Sequence, residues 1–418
     1  MGLLPLQDLQ PGMTLSADLN SPQGRLILGK GQEVTEKILR VCKIWGVTEA
    51  DVEGATAEQA TAEKLKRLEP RVLQAAKVLI SRQFALANRD HEAVRELMKI
   101  SVLRTAAKLQ AEGVDKVVAD FARTRINVPA RDEGAVLPKP PTLASIIQGK
   151  NDLASLPDIF HQIIEALKNP NSSASFVADI IGKDTSLSAK LLRLVNSSFY
   201  GFPNKVDTLS RAVTITGTNQ LTNLALGVSV ISAFKDIPAE IMDMASFWRH
   251  SVACGILARL LAGRMRNPGE ERFFVAGMLH DIGRLVMFRN FPALAREAVV
   301  KAAEKNITVT EAEAEVWGFN HAKLAGALLK EWKFPVTLEN AIQGHHNPLS
   351  SRNPLEPAIL HVADVVAHTL AIGSSGTRLV PPLVPEAWDL LGLSKNVLSA
   401  LVPQVDQQVE DIMRAFTA

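Results

Sequence analysis

Asp184-Thr-Ser-Leu-Ser-Ala-Lys-Leu-Leu-Arg-Leu-Val-Asn-Ser-Ser-Phe-Tyr-Gly201 is the stretch on which the reading of the chain turns. Leu187, Leu191, Leu192 and Val195 recur at helical spacing, so the run is an amphipathic helix ending in an Asn-Ser-Ser corner with aromatics behind it. Asn196, Ser197 and Tyr200 read as residues that cap and pack that corner. Upstream, Ile159, Ile163, Ile164 and Leu167 form the apolar stripe of a helix opened by Leu156-Pro157 and closed by Asn169-Pro-Asn-Ser-Ser173. Strand alternation is nearly absent from Leu153 to Ala418, which predicts an all-α domain.

The N-terminal part has a different texture. Pro11-Gly12, Ser21-Pro22-Gln23-Gly24 and Gly29-Lys30-Gly31 punctuate short apolar runs, the pattern of strands between tight turns. Glu33 to Trp45 has mostly helical spacing, and Val47 to Val52 returns as a strand. From Thr56 to Arg125 the chain is rich in helix formers, with Val72, Ala75, Ala76, Leu79 and Ile80 at helical intervals. Pro129, Gly134, Pro138, Pro140 and Pro141 then mark a linker. The expected organisation is a small β-rich module (1–55), a helical connector (56–126), a Pro-rich linker (127–142) and an all-α domain with C-terminal helices (143–418).

Composition narrows the function classes. The chain has 418 residues, 47% of them hydrophobic and 22% charged, with 46 basic against 44 acidic side chains. That balance provides no global field for nucleic acid, so any anion must be drawn by a local site. Cys42 and Cys254 are the only cysteines, too few for a disulfide framework or a thiolate zinc site, and they fit a reducing compartment. Met1 to Thr14 lacks the pattern of a secretion signal, and Leu221 to Phe234, the most apolar stretch, is too short to span a bilayer. A cytoplasmic protein that engages neither membrane nor nucleic acid is the expectation.

Histidines are crowded: seven of nine lie between His250 and His368. His250, the pair His280-Asp281, His321, the pair His345-His346 and Asp364 sit on separate segments. Imidazoles and carboxylates converging from separate helices would make the mixed nitrogen and oxygen environment suited to iron, manganese, zinc or nickel. His361 and His368 share a helical face with Asp364 and read as packing or supporting groups. His91 and His161 read as surface residues. Gly29-Lys30-Gly31 lacks the rest of a phosphate loop and reads as a turn.

The run at 184–201, followed by Thr208-Leu-Ser-Arg-Ala-Val213, resembles the signature of HDOD domains, regulatory relatives of the HD metal-dependent phosphohydrolases. The resemblance continues through Phe247-Trp-Arg-His-Ser251, Phe274-Val-Ala-Gly-Met-Leu-His-Asp-Ile-Gly-Arg284, Gly318-Phe-Asn-His-Ala322 and Gly344-His-His346, covering roughly residues 145 to 370. The N-terminal module looks like the extensions ahead of some HD-GYP phosphodiesterases. The resemblance implies an all-helical HDOD domain and a site in which Asp281 bridges two divalent transition metals. His250, His280 and Asp364 would complete the first shell, and His321, His345 and His346 would face the second. Arg284 stands where the family commonly has lysine and is expected to contact phosphate. Two departures matter: no Gly-Tyr-Pro follows His345-His346, and Ser246 stands where some of the enzymes place a further metal-holding glutamate. The first hypothesis is a bacterial signal-transduction module acting in output or binding, with a signalling protein or a nucleotide second messenger as partner and with homodimerisation open. The alternative is a phosphohydrolase acting on cyclic dinucleotides or other phosphoesters.

Overall fold

Asp184 caps the helix it introduces: its Oδ1 accepts from the Leu187 N–H at 2.9 Å, satisfying a donor that the first turn leaves without a partner. The helix runs Thr185–Val195 and buries Leu187, Leu191, Leu194 and Val195. Leu194 takes the inward place that periodicity assigned to Leu192, which is half-buried; an inward stripe at i, i+4, i+7 and i+8 is the wider face of a core-packed helix. Asn196 fixes the exit. Its Nδ2 donates to the carbonyls of Leu192 and Val206, both at 2.7 Å, and its Oδ1 accepts from the Val206 N–H at 2.7 Å.

The computed structural model of the protein describes residues 2–21, 25–45, 47, 49–53, 68–123, 137–148, 158–168, 173–197, 199–202, 204–234, 237, 241–265, 269–376 and 379–417. The turn at 22–24, the start of the connector, most of the Pro-rich linker, Leu156-Pro157 and residues 169–172 lie outside them. Two compact units emerge: residues 1–122 with 393–404, and residues 123–392 with 405–418.

In the first unit, strands β1 (Gly2–Pro5), β2 (Leu19–Asn20) and β3 (Leu26–Leu28), helix α1 (Glu36–Ile44) and strand β4 (Glu49–Val52) follow in order. β1 pairs antiparallel with β4 and β2 with β3, over a core that includes Leu4, Leu15, Val34, Cys42 and Val52. Gly29-Lys30-Gly31 is a turn, with the Lys30 N–H donating to Asp18 Oδ1 at 2.7 Å. Helices α2 (Pro70–Gln83), α3 (Glu92–Glu112) and α4 (Val114–Arg123) follow. A separate cluster containing Val72, Ala76, Leu79, Ala106, Leu109 and Val117 holds them.

The second unit is helical among the described residues. Its elements are α5 (Leu143–Gln148), α6 (Asp158–Lys168), α7 (Ala174–Gly182), α8 (Thr185–Val195), α9 (Leu209–Thr216), α10 (Thr218–Ala233), α11 (Met244–Arg264), α12 (Glu271–Leu279), α13 (Ile282–Asn290), α14 (Pro292–Lys305), α15 (Val309–Trp317), α16 (His321–Glu331), α17 (Val336–Gly344), α18 (Leu355–Leu370), α19 (Pro385–Leu391) and α20 (Asn396–Thr417), whose residues up to Gln404 group with the first unit. No described helix is long and apolar enough to cross a membrane.

Two close approaches position the site. α11 and α12 cross backbone to backbone, since a Cβ on Gly277 would lie 2.3 Å from the Gly255 nitrogen. On α13 a Cβ at Gly283 would meet the His321 carbonyl oxygen at 2.1 Å. Only glycine permits either contact. The first brings His250 toward His280, and the second sets Asp281 against His321. Gly283→Ala is therefore expected to destabilise the protein by roughly 1–3 kcal/mol or more, lowering the melting temperature by several degrees at about 2–4 °C per kcal/mol. Gly182→Ala, where the nearest atom would be 3.9 Å away, serves as the neutral control in the same thermal scan.

Candidate metal centre

The site is assembled from helix interiors and helix ends. His250 lies within α11 and Asp364 within α18, while His280 and Asp281 form the corner between α12 and α13. His321 opens α16 behind the Asn320 cap, whose Oδ1 accepts from the Lys323 N–H at 3.1 Å. His345 and His346 follow the end of α17. Every candidate ligand reaches one pocket. Ring centroids step from His250 to His280 (5.4 Å), from His280 to His345 (5.2 Å), from His345 to His321 (5.5 Å) and from His321 to His346 (4.9 Å). All are buried except His346, which is half-buried.

Two of these histidines are anchored alike. His280 Nδ1 is 2.7 Å from the Gly277 carbonyl and His345 Nδ1 is 2.6 Å from the Ile342 carbonyl. A carbonyl can only accept, so each Nδ1 carries a proton and each Nε2 is turned into the pocket. There both Nε2 atoms are buried without a hydrogen-bond partner. Leaving such an atom unanswered costs about 1–3 kcal/mol, and an anchored ring with its second nitrogen aimed inward is how proteins present imidazole to a metal.

The acidic groups lie between and beside them. Asp281 divides its oxygens, Oδ2 at 3.2 Å from His280 Nε2 and Oδ1 at 2.7 Å from His321 Nε2. Asp364 Oδ1 is 3.1 Å from His250 Nε2 and 3.5 Å from His280 Nε2. On the other side, His346 Nε2 is 3.0 Å from His321 Nε2. The donor atoms thus fall into neighbouring groups, with Asp281 reaching toward both.

Charge accounts for the proton distribution. Burial works to raise Asp281, but the Arg284 guanidinium and the imidazoles of His280 and His321 hold it well below the usual carboxylate range. Burial opposes a charge on His280, yet the carboxylates of Asp281 and Asp364 push it up to about 10. His345 goes the other way, to about 3, through burial and through His280 and His321. The pocket without a cation therefore keeps a proton on His280 and a neutral His345.

Arg284 is placed differently from expectation. Its guanidinium is buried, and its donors meet protein groups: Nε on Glu313 Oε1 at 2.7 Å, Nη1 on Asp281 Oδ2 at 3.0 Å and on the Ser375 carbonyl and hydroxyl at 3.0 and 2.8 Å, Nη2 on Thr310 Oγ1 at 3.3 Å and beside His321 Nδ1 at 2.7 Å. Its N–H donors are thus met by protein acceptors. Arg284 instead neutralises and locks the acidic side of the pocket.

Sequence reasoning missed several contributors. Glu313 is fully buried, accepts the His321 N–H at 3.0 Å and approaches His321 Nδ1 at 2.6 Å. Burial would raise its pKa, but Arg284 and His321 hold it down to about 2. Nothing distinguishes it in sequence from the neighbouring Glu311 and Glu315. Cys254 lies one turn beyond His250, a spacing that places both on one helix face, and its Sγ is 3.5 Å from His250 Nε2. His361 and His368 take supporting positions. His361 Nδ1 donates to the His345 carbonyl at 2.8 Å while its Nε2 accepts from the Val384 N–H at 3.0 Å; His368 Nε2 is 3.4 Å from Asp364 Oδ1. His161 is exposed and His91 half-buried.

Fold and pocket together define a helical His/Asp domain with the donor set of a divalent-metal site. Residues 153–348 match the HDOD domain family, so the chain carries an HDOD domain. An uncharacterised protein of Treponema pallidum (strain Nichols) is 27% identical over 224 residues, 53% of this chain, and the match spans only 42% of that relative. Among solved structures, an HDOD domain protein of unknown function from Geobacter sulfurreducens superposes with a TM-score of 0.53 at 23% identity, covering 71% of this chain and 98% of its own. A proposed phosphohydrolase from Shewanella amazonensis SB2B gives 0.53 at 23%, with coverages of 65% and 98%. A proposed signal transduction protein from Marinobacter aquaeolei VT8 gives 0.51 at 22%, with coverages of 72% and 66%. These likenesses establish the shared fold.

Glu313→Gln is expected to destabilise the protein by about 3 kcal/mol near neutral pH, because it leaves Arg284 short of a buried counter-charge. A carboxylate whose folded pKa is depressed contributes stability above its unfolded value and loses it as pH falls through the folded one. The difference between wild type and variant should therefore narrow between pH 4.5 and about 2. Urea unfolding midpoints across that range check it.

Proposed function

We propose that this HDOD domain is a regulatory binding module built around a retained divalent-metal pocket, and that it does not turn over phosphoesters. The observation that carries the metal reading is the pair of anchored rings, His280 and His345, whose buried Nε2 atoms make no hydrogen bond, that of His280 lying 3.2 Å from Asp281 Oδ2 and 3.5 Å from Asp364 Oδ1. His250, His280, Asp281 and Asp364 would hold one ion; His321, His345 and His346, with Asp281 shared, would hold a second. Bound divalent ions supply fixed positive charge and Lewis acidity in the pocket. The protein's own part is to aim the imidazoles, exclude water through burial and tie the ends of α12, α16 and α17 to α11 and α18.

Three features favour binding over turnover: the guanidinium of Arg284 is committed to protein acceptors, His346 alone among the ligands is partly open, and no Gly-Tyr-Pro follows the paired histidines. The partner classes that fit are a signalling protein or a nucleotide second messenger, with the N-terminal module sensing or recruiting. One observation favours the second reading, a metal-dependent phosphohydrolase: Asp281 offers one oxygen to each ligand group, as a bridging carboxylate does.

One measurement tests both readings and a second separates them. Elemental analysis of protein reconstituted with iron, manganese, zinc or nickel should find bound metal that drops to background in His280→Ala and Asp281→Ala; absence of metal in the wild type would end both readings. With iron or manganese present, hydrolysis of cyclic dinucleotides and phosphomonoesters should stay at the buffer rate. Several turnovers per second, ordinary enzyme speed, would establish the phosphohydrolase instead.

A further inference from the structure

We propose that Cys254 is a sulfur ligand, and that His250, Cys254, His280 and Asp364 form a closed four-donor shell for a thiophilic divalent ion of the zinc type. This rests on the reading of the pocket as a divalent-metal site and revises it in one respect: Cys254 takes the place given to Asp281 in the first shell, Asp281 stays with the second ion, and the first ion gains an identity and a role.

Cys254 Sγ lies 3.5 Å from His250 Nε2 and 3.7 Å from Asp364 Oδ1, Asp364 Oδ1 lies 3.1 Å from His250 Nε2 and 3.5 Å from His280 Nε2, and all four donor atoms fall within 4.8 Å of one another. Zinc bonds of about 2.0–2.1 Å to nitrogen or oxygen and about 2.3 Å to sulfur put the donors of a tetrahedral shell roughly 3.3–3.6 Å apart. Four of the edges, 3.1 to 3.7 Å, lie close to that spacing, and the other two are within 4.8 Å.

The thiol does not stand alone in the cluster. His280 Nε2, buried and making no hydrogen bond, lies 3.5 Å from Asp364 Oδ1, so a second side chain is aimed into the same cluster. Cys254 and His250 are one turn apart on α11, which fixes their spacing through the helix itself. Cys42, the other cysteine, is buried in an apolar cluster of the first unit.

The consequence is an asymmetric pocket. Four protein donors fill a tetrahedral ion and leave no position for a reacting water, the mark of a structural rather than a hydrolytic site. Ion binding joins Cys254 sulfur to the metal as the thiol proton leaves to solvent. The ion then fastens α11, the α12–α13 corner and α18 together. Exchangeable chemistry is left to the other group, His321, His345 and His346, on the side where His346 is partly open.

Full-length protein stripped with chelator and refilled with cobalt(II) tests this, because a thiolate on cobalt adds a near-ultraviolet charge-transfer absorption that nitrogen and oxygen ligands do not. The band should appear in wild type, persist in Cys42→Ser and vanish in Cys254→Ser, with zinc affinity of Cys254→Ser reduced by more than about tenfold, the low end for losing even an outer partner of a metal ligand. Bound cobalt without the band, or a Cys254→Ser spectrum equal to wild type, overturns the thiolate ligand and leaves the metal pocket standing. Wild type that takes up neither cobalt nor zinc overturns both. Should Cys254→Ser fail to fold, Cys254→Ala replaces it, and the wild-type and Cys42→Ser spectra still decide.

Discussion

Asp281, Glu313 and Asp364 have one buried guanidinium among them, that of Arg284, which bonds Asp281 and Glu313, and among the described residues these four are the buried side chains of Asp, Glu, Lys and Arg. Three negative charges against one positive, in a region that water does not reach, is an imbalance that burial makes expensive. Protons on imidazoles can answer part of it, which is why His280 and His321 are drawn upward in pKa while His345 and His346 are forced down. Divalent cations can answer all of it. The rest of the unit can be understood as the scaffold that keeps this imbalance in place.

That scaffold works through backbone contacts more than through long side chains. The crossing at Gly255 and Gly277 sets how near α11 comes to α12, and the contact of Gly283 with His321 sets how near α13 comes to α16. His280 and His345 then receive their orientation from carbonyls three residues earlier, at the ends of their own helices. Ring direction is thus fixed by local helix geometry, while ring proximity is fixed by packing. Arg284 and Glu313 close the far side by pairing with each other and with His321 and Asp281. An arginine held this way stabilises an acidic pocket.

Much of this was legible in the sequence, for reasons that differ by residue. Asp184, Leu187, Leu191 and Asn196 announce a helix and its ends through local chemistry, and local chemistry survives folding unchanged. The histidines and aspartates of the pocket were legible because their order along the chain follows a known pattern, although spacing alone could not show that the rings meet. Glu313 was silent: its burial depends on α15 packing against the Arg284 side of the pocket, and its neighbours are also glutamates. Ser375, which accepts from Arg284, lies in the loop beyond α18, where no periodicity operates. Cys254 was set aside because two cysteines cannot form a thiolate site, a count that overlooks mixed shells. The grouping of residues 393–404 with the N-terminal unit is likewise a matter of tertiary contact, which order along the chain does not reveal.

The central claim, that the pocket holds a divalent cation, is tested most directly by anomalous X-ray diffraction from crystals of protein purified without added metal or chelator, with data on either side of the iron, manganese, nickel and zinc absorption edges. The account predicts an anomalous peak enclosed by the Nε2 atoms of His280 and His345 and the carboxylates of Asp281 and Asp364. A featureless map there, with those two nitrogens hydrogen-bonded to ordered water or to one another, would contradict it.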